Sequence, residues 1–279
     1  MPVPVAGDQG NRGEADVAGR TRMSASPRLA VVWSVLRAEL DQRGAAASGQ
    51  GRQDMPGVGL SALDVGGGSG MFAVPLAGLG LAVTVVDTSA DALATLERRA
   101  AEAGVANRVV GVQGDADRLS DVADPASYDL VLCHSVLEVV DDAAATTATI
   151  AAMLRPGGCV SMLVANRTAA VFARALSGHL AEAMRVLTDP AGRSSETDSV
   201  QRRFDTASLT ALLGSAGLVV ERLHGVRVVT DLVPGALLDG VPGAVEALHD
   251  LELAASAVPP YRDMATQLHA LARQAGPPA

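Results

Sequence analysis

The chain has 279 residues, of which 48% are apolar and only 2% aromatic, with a net charge of −9. That length and apolar share can bury a sizeable core, as one large α/β domain or two small ones, built from Ala, Val and Leu rather than from rings. The acidic total, in which lysine is absent and every strong cation is arginine, argues against broad nucleic-acid binding while leaving room for a local basic patch.

No apolar run reaches the roughly 18 residues of a membrane span, and the first residues lack the blocks of a signal peptide. Cys133 and Cys159 stand singly inside apolar runs and read as buried thiols of a reducing compartment. We therefore expect a cytoplasmic protein that uses neither a membrane nor a metal.

Residues 1–26 are rich in Gly, Ala, Asp and Arg without periodicity and are expected to form a disordered arm. One domain is expected over 27–273, followed by a tail over 274–279. Leu29, Val32, Trp33, Leu36 and Leu40 fall at helical spacing, and a Gly/Ser/Gln loop over 45–59 leads to a first strand over 60–65. Strands are expected next at 81–86, 108–112, 128–132 and 159–164, with helices at 71–78, 89–103, 136–140 and 146–154 between them. This alternation predicts an α/β, Rossmann-like, doubly wound and mostly parallel sheet whose strand C-termini line one crevice. Residues 166–205 break the pattern and are expected as a helical lid inserted after strand five, with one helix over 168–186. Beyond the lid we expect a helix over 207–216, a strand over 218–230 interrupted at Gly225, a helix over 237–257, and a last segment over 264–273 that reads equally as strand or helix.

The first strand ends in Asp64 and runs into Gly66-Gly67-Gly68-Ser69-Gly70. Glycine brings a ligand close to bare backbone, and a carboxylate at the strand end can accept a bond from it or fix the turn. Asp87 ends the second strand, where a carboxylate can hold both ribose hydroxyls of a nucleoside. Ala116 and Asp117 follow the third strand, where an adenine amino group would need an acceptor. His134 ends the fourth strand at the floor of the crevice, with Glu138 one helical turn on.

The spacing Asp-x-Gly-x-Gly-x-Gly resembles the first motif of class I S-adenosylmethionine (SAM) methyltransferases, and a dinucleotide Gly-x-Gly-x-x-Gly fits less well because its third glycine would fall on Met71. Together with Cys133-His134-Ser135-Val136-Leu137-Glu138, Leu154-Arg155-Pro156-Gly157-Gly158, Gly225-Val226-Arg227-Val228, and Leu251-Glu252-Leu253 with Pro260-Tyr261, the chain resembles the tRNA 5-carboxymethoxyuridine methyltransferases, which esterify a carboxylate on the wobble uridine. The resemblance implies SAM as cofactor and tRNA as partner, with Arg28, Gly66, Gly67, Asp87, Ala116, Asp117 and His134 at the SAM site. Asp64 and Gly68 join them from the geometry of the turn, and Arg28 is suited to the methionyl carboxylate.

The chain departs from that family in the lid, where a lysine-rich cluster gives way to residues 187–198 with one cation and several acids. Arg167, Arg174, Arg185, Arg202 and Arg203 are the cations left nearby. Because phosphate contacts dominate tRNA affinity, the acidic lid favours an alternative, a small-molecule O- or N-methyltransferase. A non-catalytic SAM-binding protein is the third reading. A carboxylate acceptor is ionised at neutral pH and needs no general base, only positioning and a cation to draw it in. Arg227 with Tyr261 is the expected clamp.

Overall fold

The computed structural model describes residues 28–47 and 55–274. The expected arm over 1–26, part of the 45–59 loop and residues 275–279 lie outside the described residues, while Gln274, expected in the tail, still belongs to a strand.

Helix α1 (Ala30–Ala47) buries Val31, Val32, Val35, Leu36 and Leu40. Its buried polar residue, Glu39, accepts from Arg43 Nε at 2.6 Å and from Arg273 Nη2 at 3.0 Å. Burial alone would raise its pKa; the two guanidinium bonds outweigh burial and hold it below the usual carboxylate value. Then β1 (Ser61–Val65), α2 (Ala73–Gly78), β2 (Ala82–Asp87), α3 (Ala90–Glu102), β3 (Val109–Gln113), β4 (Tyr128–His134), α4 (Ala143–Met153) and β5 (Leu154–Ala165) follow in the expected alternation. Ser89 caps α3 by accepting from Ala92 N–H, and Asp142 caps α4 by accepting from Ala144 and Ala145 N–H.

With β6 (Leu218–Val226) and β7 (Gln267–Gln274) the strands form one seven-stranded sheet in the order β3-β2-β1-β4-β5-β7-β6. Only β7 runs against its neighbours. Strand alternation divides the core in two. Leu130, Leu132 and Leu163 face α1, α2 and α3 with Leu36, Leu76 and Leu96. Val131, Met162 and Ala270 face α4 and α7 (Thr206–Ser215) with Ile150, Leu209 and Leu213. Burial on both faces explains why the central strands read as unbroken apolar runs.

Four expectations are corrected and one left open is decided. The 136–140 stretch is a turn, entered through Ser135 at φ +58°. The expected lid helix breaks at Gly178 (φ +81°) into α5 (Arg167–Leu176) and α6 (Leu180–Thr188). Strand β6 passes through Gly225, which packs so closely on Arg262 and Ala265 that a Cβ would lie 2.6–2.9 Å from them, and it ends at Val226, just before Arg227 (φ +61°). Gly243 (φ +78°) divides the expected 237–257 helix into α8 (Gly235–Gly240) and α9 (Ala244–Ser256). After a short turn of helix, α10 (Tyr261–Met264), the ambiguous last segment is the strand β7, threaded between β5 and β6.

Candidate cofactor and acceptor site

The crevice is built where β1, β2 and β4 end side by side. The chain leaves β1 through a turn whose backbone is tied to β2: Gly66 N–H donates to Val86 O at 2.7 Å and Gly68 N–H to Asp87 Oδ2 at 2.8 Å. Gly68 sits at φ +53°, and a Cβ on Gly67 would come within 2.5 Å of the Asp64 carboxyl, so both positions require glycine. Asp87 Oδ1 also accepts from Ser89 N–H at 2.9 Å, which aims the carboxylate across the turn. Asp64 is 2% exposed, and its Oδ2 has no partner among the described residues. Burial, then the charge of Asp87, raises its pKa to about 7.

After β3, Asp115 Oδ1 accepts from Asp117 N–H at 3.0 Å and opens a short helical turn that begins at Ala116. The Asp117 carboxylate is tied to the α4 side: Oδ2 accepts from Asp141 N–H at 3.0 Å and Oδ1 from the Thr146 hydroxyl at 2.8 Å. The first of these is the main cause of its lowered pKa. The side chain expected to meet a base thus also braces the crevice wall.

His134 closes the floor. Its Nε2 lies 2.9 Å from Ser161 Oγ, Phe72 packs edge-on with ring centroids 4.5 Å apart, and burial lowers its pKa to about 3. Trp33 stacks on Phe72 at 5.1 Å, so α1 reaches the same floor. Glu138 does not share a helical face with His134. Its Oε1 accepts from Ala165 N–H at 2.7 Å and pins the end of β5, while burial raises its pKa.

Arg28 and Arg227 stand together rather than apart. Both pair with Asp231, Arg28 at 3.6 Å, and Thr266 Oγ1 donates to the same carboxylate at 2.9 Å. Arg28 is largely exposed, Arg227 part-buried. The loop carrying Arg227 and Asp231 hangs on Glu252 of α9. This fully buried carboxylate accepts from Val228, Val229 and Thr230 N–H and from the Thr230 hydroxyl at 2.6–2.9 Å. Tyr261 is half-exposed at the start of α10, and no hydrogen bond joins it to Arg227 among the described residues.

Sequence reasoning quoted Glu252 without its role and missed Asp231, Ser161 and His269. None carries a spacing signal, since each acts on a partner distant in the chain.

Most of the lid cations turn back on their own chain. Arg203 pairs with Asp198 at 2.7 Å and donates to Gly192 O at 2.8 Å. Arg202 donates to Leu137, Val140 and Asp141 carbonyls, and Arg167 to Pro190 O. Arg174 lies 3.5 Å from Glu182, and Arg193 lies 3.1 Å from Asp189. Arg185 is exposed. No described helix is long and apolar enough to cross a membrane, and the described residues hold no cluster of metal-ligating side chains.

A parallel sheet with a glycine turn, an orphaned buried carboxylate oxygen at its first strand and an anchored carboxylate at its second defines an α/β nucleoside-cofactor protein. A model of the methyltransferase domain matches residues 63–162. The ubiquinone biosynthesis O-methyltransferase of Thiobacillus denitrificans is 33% identical over 172 residues, which are 61% of this chain and 69% of that one. The chain belongs to the class I SAM-dependent methyltransferases, whose cofactor is SAM.

The Xanthomonas euvesicatoria protein of the same name is 34% identical over 169 residues, 60% of this chain and 66%, just under two thirds, of its own length. Among solved structures, a SAM-dependent methyltransferase from Mesorhizobium loti aligns with a TM-score of 0.55 at 17% identity, over 90% of this chain and all of that one. Magnesium protoporphyrin IX methyltransferase from Synechocystis, with bound S-adenosylhomocysteine (SAH), aligns with a TM-score of 0.52 at 16% identity, over 97% and 90%. Both share the fold. The resemblance to tRNA methyltransferases thus holds for the class, while these curated relatives are named for ubiquinone biosynthesis rather than for tRNA.

Proposed function

We propose that the chain is a small-molecule O-methyltransferase whose acceptor carries an ionisable oxygen. The observation that carries this reading is the inward pairing of the lid arginines. Arg167, Arg174, Arg193, Arg202 and Arg203 are engaged with the lid's own carboxylates and carbonyls or with the neighbouring β4–α4 loop. A tRNA backbone needs several unengaged cations, and an overall charge of −9 adds repulsion. The names of the curated relatives support the same reading. The tRNA acceptor is the weaker alternative.

Bound SAM supplies an electrophilic methyl group on a sulfonium. In this reading Asp87 keeps a free lone pair on each oxygen for the ribose hydroxyls, because its backbone bonds use only one. Asp64 offers its unpartnered Oδ2 to the cationic end of the cofactor. Arg28 and Arg227 share one carboxylate, Asp231, so this trio keeps one net positive charge for an anionic group: the methionyl carboxylate or an ionised acceptor. Holding acceptor oxygen, methyl carbon and sulfur in line supplies on the order of 7–11 kcal/mol of the barrier.

The test offers radiolabelled SAM with a panel of small phenols and aryl carboxylates in one arm and with tRNA from a strain lacking the enzyme in the other. Label is expected in the first arm, with turnover falling at least tenfold in Arg227→Met and much less in Arg222→Met. Label in tRNA as the methyl ester of 5-carboxymethoxyuridine would overturn the proposal.

A further inference from the structure

The sheet edge carries a second polar pair, away from the glycine turn and at the tip of β4. Ser135 stands there at φ +58°, in the left-handed region that favours glycine. Its N–H donates to Leu163 O at 2.8 Å, which holds the turn in place, and its hydroxyl accepts from Gln267 Nε2 at 3.2 Å. Ser135 is exposed and Gln267 part-buried. Gln267 opens β7 in register with Ala165 of β5 and Val226 of β6. The chain just before it is fixed on both sides. Asn166 Nδ2 donates to Asp263 O at 2.9 Å and to Ala265 O at 2.7 Å, and Thr266 N–H donates to Arg227 O at 3.3 Å.

A carboxamide offers two N–H donors and a carbonyl oxygen, and a hydroxyl offers one donor and two lone pairs. The bond between them uses one donor and one lone pair. Whichever way round it is made, the pair keeps two donors and lone pairs on both oxygens, and these side chains have no other partner among the described residues. The pair is neutral, so it neither repels a sulfonium nor cancels the charge of Arg28, Arg227 and Asp231. That charge begins one step away. Gln267 follows Thr266, whose hydroxyl donates to Asp231, and its partner across the strands, Val226, precedes Arg227. Neighbouring strands lie about 5 Å apart, so one small ring can reach both groups. A left-handed residue other than glycine persists where its surroundings over-determine it, and such residues gather at ligand sites.

We propose that Ser135 and Gln267 form a hydroxyl-recognising subsite beside the cationic trio, so that the acceptor selected is a small ring bearing a hydroxyl as well as an anionic group. This rests on the crevice taking a small anionic acceptor. The trio draws in the anion. The amide and the serine hydroxyl read the second oxygen, donating to it and accepting its hydrogen bond. A ring without that hydroxyl leaves the pair unmatched, which is how a hydrogen-bonding site rejects an analogue lacking one group. Ser135 and Gln267 thus determine specificity, and the trio determines charge.

The test is calorimetry on the full-length protein saturated with SAH, using benzoate and the 2-, 3- and 4-hydroxybenzoates as probes. At least one hydroxybenzoate is expected to bind about fivefold to tenfold more tightly than benzoate. Gln267→Leu, and Ser135→Ala, which keeps a Cβ at the same φ, should each bring that ratio to within about twofold while benzoate itself binds as before. Arg227→Met should weaken all four probes and leave the ratio intact. No preference in the wild type, or no binding of any probe, would overturn the subsite even where a variant fails to fold. So would a ratio that survives in a folded variant. A parallel loss of SAH affinity in both variants would give the pair to the cofactor and overturn the subsite as well. The acceptor reading fails separately: a clear preference among the acids, with label passing from SAM to tRNA alone, would end that reading and leave the selectivity of the pair standing.

Discussion

Asp64 shows how one residue can set folding against binding. An acid whose pKa rises on folding gives the folded state the tighter hold on a proton. Stability therefore falls as pH climbs from near 3.8 to about 7. A rise of that size corresponds to on the order of 4 kcal/mol once the carboxylate is fully ionised. Asp64→Asn removes the charge without changing the shape. In the free protein, the melting temperature of wild type relative to Asp64→Asn is expected to drop by several degrees between pH 5 and pH 8, read by scanning fluorimetry, while the variant binds SAH more weakly at pH 8. A constant difference across that range would refute the account. The place of Asp64, Asp87 and the glycine turn at the sheet edge was legible in sequence because each stands at or just beyond the C-terminal end of a strand. The place of His269 was not, because the hydroxyl it meets lies 108 positions earlier in the chain, which no local spacing encodes.

At the scale of elements, the helix–strand alternation was readable from periodicity, and the errors lie where one side chain overrides it. The run after Gly225 is apolar enough to continue as strand, yet Glu252 on α9 draws the amides of Val228, Val229 and Thr230 onto its carboxylate. The strand ends, and Arg227 turns toward Asp231. Glutamine at this position would keep the shape but set an amide N–H against a backbone N–H whichever way it faces. Glu252→Gln is therefore expected to lose about 2–4 kcal/mol in urea unfolding, with faster amide exchange at 228–230 than elsewhere in the sheet. A loss below about 0.5 kcal/mol, or uniform exchange, would mean that the loop is held by something else. The lid was legible as an interruption, but not as two helices, because nothing in its apolar spacing marks Gly178 as the break.

For the whole molecule the decisive feature is the place of the last strand. Alternation predicts that β1 to β5 lie parallel in one doubly wound sheet, but not that the C-terminal segment returns antiparallel into the gap between β5 and β6. That segment pairs with Cys159–Ala165 on one side and Leu218–Val226 on the other. Leu268, Ala270 and Ala272 go to one core layer and Leu271 to the other. Without it, β5 loses one row of backbone partners in the middle of the sheet, and β6 loses its strand neighbour. Each fully buried leucine contributes on the order of 1.5–3 kcal/mol, and the strand's paired backbone adds to that. The sum is comparable with the 5–15 kcal/mol that holds a typical domain together. A chain ending at Thr266 is thus expected to show no cooperative urea transition. The probe is Trp33, the only tryptophan, which is buried in the same core layer as Leu271 of β7. A cooperative transition with the m-value of the full chain would show instead that the parallel half folds alone and that β7 is an addition to it; its absence would make closure of the sheet and assembly of the His134 floor one event.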